Sequence, residues 1–234
     1  MKTIGLLGGM SWESTTSYYT LLNRGIAERL GTFHSAKIAM VSVDFHPLEE
    51  AMRSGDWGLC ARILSGAAKD VERAGADLLL LCTNTLHKVA PNISQVINIP
   101  FLHIIDAAAE HIRRANMHTV GLLGTKFTME DGFYHQILKE EYQIEVVTPN
   151  RNDREIVHNI IFEELCQGKI RRESKKEYLR IIKELGKNGA QGIIEGCTEI
   201  PMLIEQSDTA VPLFDTTKIH AEKAIQTALN PSEH

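Results

Sequence analysis

Short, nearly uninterrupted apolar runs alternate along this chain with longer stretches of helical period. The runs at 3–7, 38–43, 78–81, 101–105, 120–123, 144–147, 192–194 and 211–214 are rich in Val, Ile and Leu, as strands covered on both faces are. Between them, residues 14–30, 57–73, 154–166 and 174–187 read as amphipathic helices. Three of these stop close to Gly75, Gly168 or Gly189, because glycine readily adopts the left-handed conformation that ends a helix. A last helix is expected over 216–229. Strand and helix in alternation predict an α/β fold built on mostly parallel sheets.

The chain also repeats itself once. Thr3-Ile-Gly-Leu-Leu-Gly8 returns as Thr119-Val-Gly-Leu-Leu-Gly124, an offset of 116, and Tyr18 falls on Tyr134 at the same offset. The stretch GADLLLLCT at 75–83 is answered by GAQGIIEGCT at 189–198, with the cysteines 115 apart. A looser pair joins PFLHIID at 100–106 to PLFD at 212–215. Three ordered correspondences at almost one offset predict two pseudo-symmetric lobes, each a mostly parallel sheet flanked by helices. The first lobe is expected over 1–105 and is joined by the C-terminal helix at 215–234; the second is expected over 106–214. The active site is expected in the cleft between them.

In each half a buried strand ends in Cys-Thr: Cys82-Thr83-Asn84-Thr85 in the first, Cys197-Thr198-Glu199 in the second. Ligands of open parallel sheets bind beyond the carboxyl ends of the strands, so both thiols are expected at a ligand. Two opposed thiols suit inversion of a stereocentre, which needs a base on one face and a conjugate acid on the other. A thiol, with an ordinary pKa of about 8.5, can serve as either. A single cysteine at a strand end is more often a small buried apolar group. Cys60, on the apolar face of 57–73, and Cys166, just before Gly168, fit that role. A metal site is not expected: there is no CxxC, and no histidine is spaced as a second ligand beside either cysteine.

Gly8-Gly9-Met10-Ser11 follows the first strand and opens a helix, and Gly124-Thr125-Lys126-Phe127-Thr128 is its counterpart. Glycines and free N–H groups at a helix start can hold anions; the plainer role for Ser11 and Thr128 is to cap helices. Neither GxGxxG nor GxxxxGK[ST] occurs. Taken singly, His46, His87, His103 and His220 read as structural or surface residues. The basic run at 169–176 reads as a solvated surface.

Composition narrows the class further. With 43% hydrophobic and 24% charged residues, the chain is ordinary globular protein rather than disordered or low-complexity. No apolar run reaches the roughly 18 residues of a membrane span, and the first residues read as a strand rather than a cleavable signal. Four cysteines without a targeting segment point to a reducing cytoplasm. A net charge of −5 and no commanding basic patch argue against a nucleic-acid partner. They also imply that an acidic ligand must be held by local donors.

The motifs GLLGGMSWEST, LCTNTLHK and GCTEI together resemble the aspartate/glutamate racemase family, and the enterobacterial aspartate/glutamate racemase group especially. The resemblance spans essentially the whole chain and implies a cofactor-independent amino-acid racemase. Cys82 and Cys197 would exchange the α-proton of aspartate or glutamate without pyridoxal phosphate. It further implies that Met10, Thr83, Asn84, Thr85, Thr125, Thr198 and Glu199 bind the substrate's carboxylates and amino group, and that the enzyme is a homodimer. Glutamate racemases usually carry His where this chain has Glu199, which argues against a dedicated cell-wall glutamate racemase. A carboxylate beside a thiolate would raise the thiol's pKa, so Glu199 is expected to bind the substrate ammonium instead. Two other readings keep the cleft: a dicarboxylate isomerase or lyase with a nucleophilic cysteine, and a catalytically silent ligand-binding relative.

Overall fold

The computed structural model describes residues 1–230; residues 231–234, the end of the expected C-terminal segment, lie outside the described residues. The described residues divide into two compact units, Met1–Ile104 with 220–230, and Ile105–Ile219.

The first unit begins with β1 (Ile4–Gly8), α1 (Trp12–Leu30), β2 (Ile38–Ser42), α2 (His46–Ser54), α3 (Trp57–Arg73) and β3 (Leu78–Leu81). A 3-10 turn (Thr85–Val89), α4 (Ala90–Ser94) and β4 (Phe101–Leu102) follow. Its sheet is parallel throughout, in the order β2-β1-β3-β4. β1 and β3 are buried at every position, because helices cover both faces of a parallel sheet. Tyr18, Leu22 and Ile26 of α1, one helical turn apart, close over Ile4, Leu6, Leu78 and Leu80.

The second unit contains most of α5 (Ile104–Arg114), then β5 (Thr119–Gly124), α6 (Lys126–Glu130), α7 (Phe133–Tyr142), β6 (Glu145–Val147) and α8 (Arg151–Glu163). After a 3-10 turn (Leu165–Gln167) come α9 (Arg172–Lys187), β7 (Gly192–Gly196), two further 3-10 turns and β8 (Leu213–Asp215). Its parallel sheet has the order β6-β5-β7-β8, the topology of the first. α10 (Thr216–Leu229) starts in this unit and ends in the other. There Ala221, Ala224, Ile225 and Ala228 join the core of the first sheet. Each unit is thus an α/β lobe with helices flanking a parallel sheet, as the alternation predicts.

The expected strand over 101–105 is cut to two residues. β4 stops at Leu102 and α5 starts at Ile104. Ile104, Ala108 and Ile112 recur at helical spacing and are fully buried, so the two isoleucines at the end of the 101–105 run belong to a helix face. The basic run is largely exposed, as read, although Lys175 pairs with Asp208 at 2.7 Å.

Candidate active site

The repeat places equivalent side chains at equivalent points of the two sheets. Cys82 directly follows β3 and Cys197 directly follows β7, the third strand of each sheet order. Both glycines that end the first strands sit where a side chain would clash. A Cβ on Gly8 would fall 2.5 Å from Thr15 Oγ1, and one on Gly124 would fall 2.9 Å from the Gly196 carbonyl oxygen. The turns after these strands therefore lie tight against their neighbours.

In the first lobe, Cys82 is fully buried; Met10, Thr83 and Asn84 are nearly so, and Thr85 is half-buried at the start of the 3-10 turn. The Ser14 hydroxyl donates to the Cys82 carbonyl at 2.8 Å, which ties the first turn of α1 to the cysteine loop. Ser11 caps α1 by accepting from the Ser14 N–H at 3.3 Å. Burial pushes the Cys82 thiol far above its ordinary pKa, because a thiolate there would be stripped of water. His87 lies behind this loop, with Nδ1 2.7 Å from the Thr83 carbonyl.

In the second lobe, Cys197 is half-buried and its thiol donates to Glu199 Oε2 at 2.9 Å. The Thr198 hydroxyl donates to the same oxygen at 2.7 Å, and Glu199 is itself buried. Desolvation first, and then the Glu199 carboxylate, hold the Cys197 thiol well above its ordinary pKa. Thr125, Thr198 and Glu199 are all in this lobe. The helix cap differs from the reading of the sequence. Thr125, not Thr128, caps α6, and the Thr128 N–H donates to Thr125 Oγ1 at 3.3 Å. Both residue types suit the role, and only the helix start decides between them.

Two groups near Cys197 escaped the sequence reading. Cys166, taken as a packing residue, is half-buried and close enough that its charge would raise the Cys197 pKa. Cys60 does fit the packing role: it is fully buried, with its thiol 3.8 Å from the Leu48 carbonyl. The second group is Glu195, two residues before Cys197 and 3% exposed. It stands level with Asp215 on β8, and its Oε1 has no hydrogen-bond partner among the described residues. Burial, and then the Asp215 charge, raise its pKa to about 8, which favours the protonated acid at neutral pH. Its position in an apolar strand was the available signal, since a carboxylate in a sheet interior must be paired or protonated.

A family model described as Asp/Glu/Hydantoin racemase matches residues 7–224. The chain belongs to this family. Among solved structures, a Yersinia pestis protein provisionally assigned as an Asp/Glu racemase is 50% identical, with a TM-score of 0.92 over 98% of this chain and 100% of that one. An aspartate racemase homologue from Pyrococcus horikoshii is 38% identical, with a TM-score of 0.87 over 98% and 100%. The broad specificity amino-acid racemase RacX of Bacillus subtilis is 25% identical over 167 residues, 71% of each chain. Membership of this racemase family supports an isomerase acting on amino acids. Among the described residues, no helix is long and apolar enough to cross a membrane.

Proposed function

We propose that the protein is a cofactor-independent racemase that interconverts the L and D forms of aspartate and glutamate, with Cys82 and Cys197 as its two bases. One observation carries this reading. The two cysteines follow equivalent strands of two identically ordered sheets, where open parallel sheets hold their ligands. Two-base inversion needs such a pair of groups, both able to gain and lose a proton.

In the free protein both thiols are held protonated, Cys82 by burial and Cys197 by desolvation and Glu199. The substrate ammonium takes over the Glu199 carboxylate through a charge-assisted bond. That neutralises the anion beside Cys197 and lowers its pKa; the thiol proton leaves to water. The Cys197 thiolate then takes the proton from Cα. The electron pair of the broken C–H bond spreads into the α-carboxylate, and the Cys82 thiol delivers its own proton to the other face. One S–H bond has formed and one has broken, and the reverse turnover restores the start. Met10, Thr83, Asn84, Thr85, Thr125 and Thr198 supply the contacts to the carboxylates. The active enzyme is a homodimer in the cytoplasm, where its four free thiols stay reduced.

The test is racemisation of L-aspartate and L-glutamate, followed by chiral chromatography on protein treated with hydroxylamine to remove any bound aldehyde cofactor. Wild type should racemise at least one of them after that treatment. Cys82→Ser and Cys197→Ser should each lose about 10²–10⁴-fold, the range of a positioned acid or base. Either variant racemising at the wild-type rate would sink the two-base reading. Sedimentation at micromolar concentration should show a dimer.

A further inference from the structure

Behind the Cys82 loop, the first lobe holds histidines that the proposed chemistry does not use. His87, 1% exposed, lies between two backbone groups of different elements. Its Nδ1 is 2.7 Å from the Thr83 carbonyl and its Nε2 is 3.3 Å from the Ile104 nitrogen. A carbonyl only accepts and a backbone N–H only donates. The ring must therefore carry its proton on Nδ1 and leave Nε2 bare. His220, fully buried on α10, is locked the other way. Its Nε2 donates to the Leu102 carbonyl at 2.8 Å, and its Nδ1 accepts from the Tyr18 hydroxyl at 2.8 Å.

The rings form one packed group. His87 lies 4.7 Å from His103 and 5.8 Å from His220 between centroids, with Phe101 at 5.6 Å. Tyr18 meets His220 edge-on at 5.6 Å. The titratable groups around His87 are thus His103 after β4, His220 on α10 and, behind His220, Tyr18 on α1. A second proton on His87 would point an N–H at the Ile104 N–H. Burial first, and then the neighbouring imidazoles, keep His87 well below its ordinary pKa; burial above all takes His220 to about 3.

We propose that His87 is a positioning residue for the Cys82 base. Fixed as the Nδ1–H tautomer between Ile104 and Thr83, it pins the backbone that follows Cys82 and so aims the thiol. His220 and Tyr18 brace its ring. The kinetic part of this inference rests on the racemase reading; the structural part does not.

Histidine-labelled protein tests the structural part directly. Two-bond ¹H–¹⁵N spectra should show His87 as the neutral Nδ1–H tautomer and His220 as Nε2–H, both unchanged from about pH 8 to pH 5, below the ordinary imidazole range. The Nε2–H tautomer at His87, or a cation at pH 6, would overturn the proposal. Two variants then separate aiming from bulk. His87→Asn keeps a donor near the Nδ1 place, whereas His87→Gln sets its amide near Nε2. His87→Gln should lower kcat about a hundredfold, the cost of a misplacement of about 1 Å, with KM little changed; His87→Asn should recover most of it.

With α-deuterated substrates, the isotope effects of the two enantiomers should move apart in His87→Gln, since one base is disturbed and not the other. Equal changes in both directions, or no rescue by His87→Asn, would contradict the proposal. Alkylation by iodoacetamide, read by mass spectrometry, needs no turnover. Cys82 should react about tenfold faster in His87→Gln, as a loosened loop admits reagent, while Cys197 is unchanged. An unchanged Cys82 rate would count against positioning even if wild type proves inactive as a racemase.

Discussion

The two lobes share a strand order and a cysteine position, yet they surround the thiol with opposite chemistry. In the first lobe Cys82 is fully buried, and the loop after it is backed by neutral imidazoles, His87 and His220. In the second, Cys197 is half-buried, donates to Glu199 and follows the buried acid Glu195. The repeat therefore duplicated a backbone and not an electrostatic environment. Burial raises the pKa of Cys82, whereas burial and the Glu199 carboxylate together raise that of Cys197. On the proposed reaction, the second thiol is the one whose pKa responds to a bound ammonium.

The largest blow to this comparison after loss of a thiol should come from Glu195. Its pKa is raised from 4.5 to about 8 in the folded state. Between those values the native chain holds a proton that the unfolded chain has released, so stability falls as pH rises through this window and levels off above it. Glu195→Gln, a neutral isostere, should remove that slope and add on the order of 2–4 kcal/mol at pH 8. The difference between the two proteins in urea unfolding at pH 5, 6.5 and 8 measures this, because the buried thiols and imidazoles contribute alike to both. A difference that does not grow with pH would show that Glu195 titrates alike in the folded and unfolded chain.

Glu199→Gln should come next. It should raise KM by about tenfold to a hundredfold, the worth of a hydrogen bond to a charged group. It should also shift alkylation of Cys197 to lower pH and leave the Cys82 profile in place. Unchanged KM would remove Glu199 from the ammonium site. The smallest effect belongs to Tyr18→Phe, which strips the donor from His220 Nδ1 in the first lobe. It should cost about 1–3 kcal/mol of stability, because the nitrogen is left buried and unpaired. No measurable loss on urea unfolding would mean that Tyr18 does not brace His220.

Much of the architecture was legible in the sequence because local composition encodes it. Apolar runs mark the central strands, and the offset of 116 links Thr3 to Thr119 and Tyr18 to Tyr134, both tyrosines fully buried. The end of β4 was not legible, since Ile104 and Ile105 are equally apolar in a strand or on a helix face. The second layers behind the thiols were not legible either. Tyr18, Leu102 and His220 meet across up to 202 positions, and Glu195 meets Asp215 only through sheet register. Such groups share no spacing, so only tertiary structure brings their chemistry together. Glu199 lies between these cases. The sequence placed a carboxylate beside a thiol, and the structure adds that the thiol donates to it.

In the proposed reaction two different thiols work on one Cα. The most direct measurement is racemisation of L-aspartate in D₂O, stopped early, with the α-position of each separated enantiomer read by mass spectrometry. Two monoprotic bases predict solvent deuterium at Cα of the newly formed D-aspartate and protium in the recovered L-aspartate; L-glutamate should behave alike if it is a substrate. Deuterium appearing equally in both enantiomers from the start, or protium retained in the product, would contradict the account.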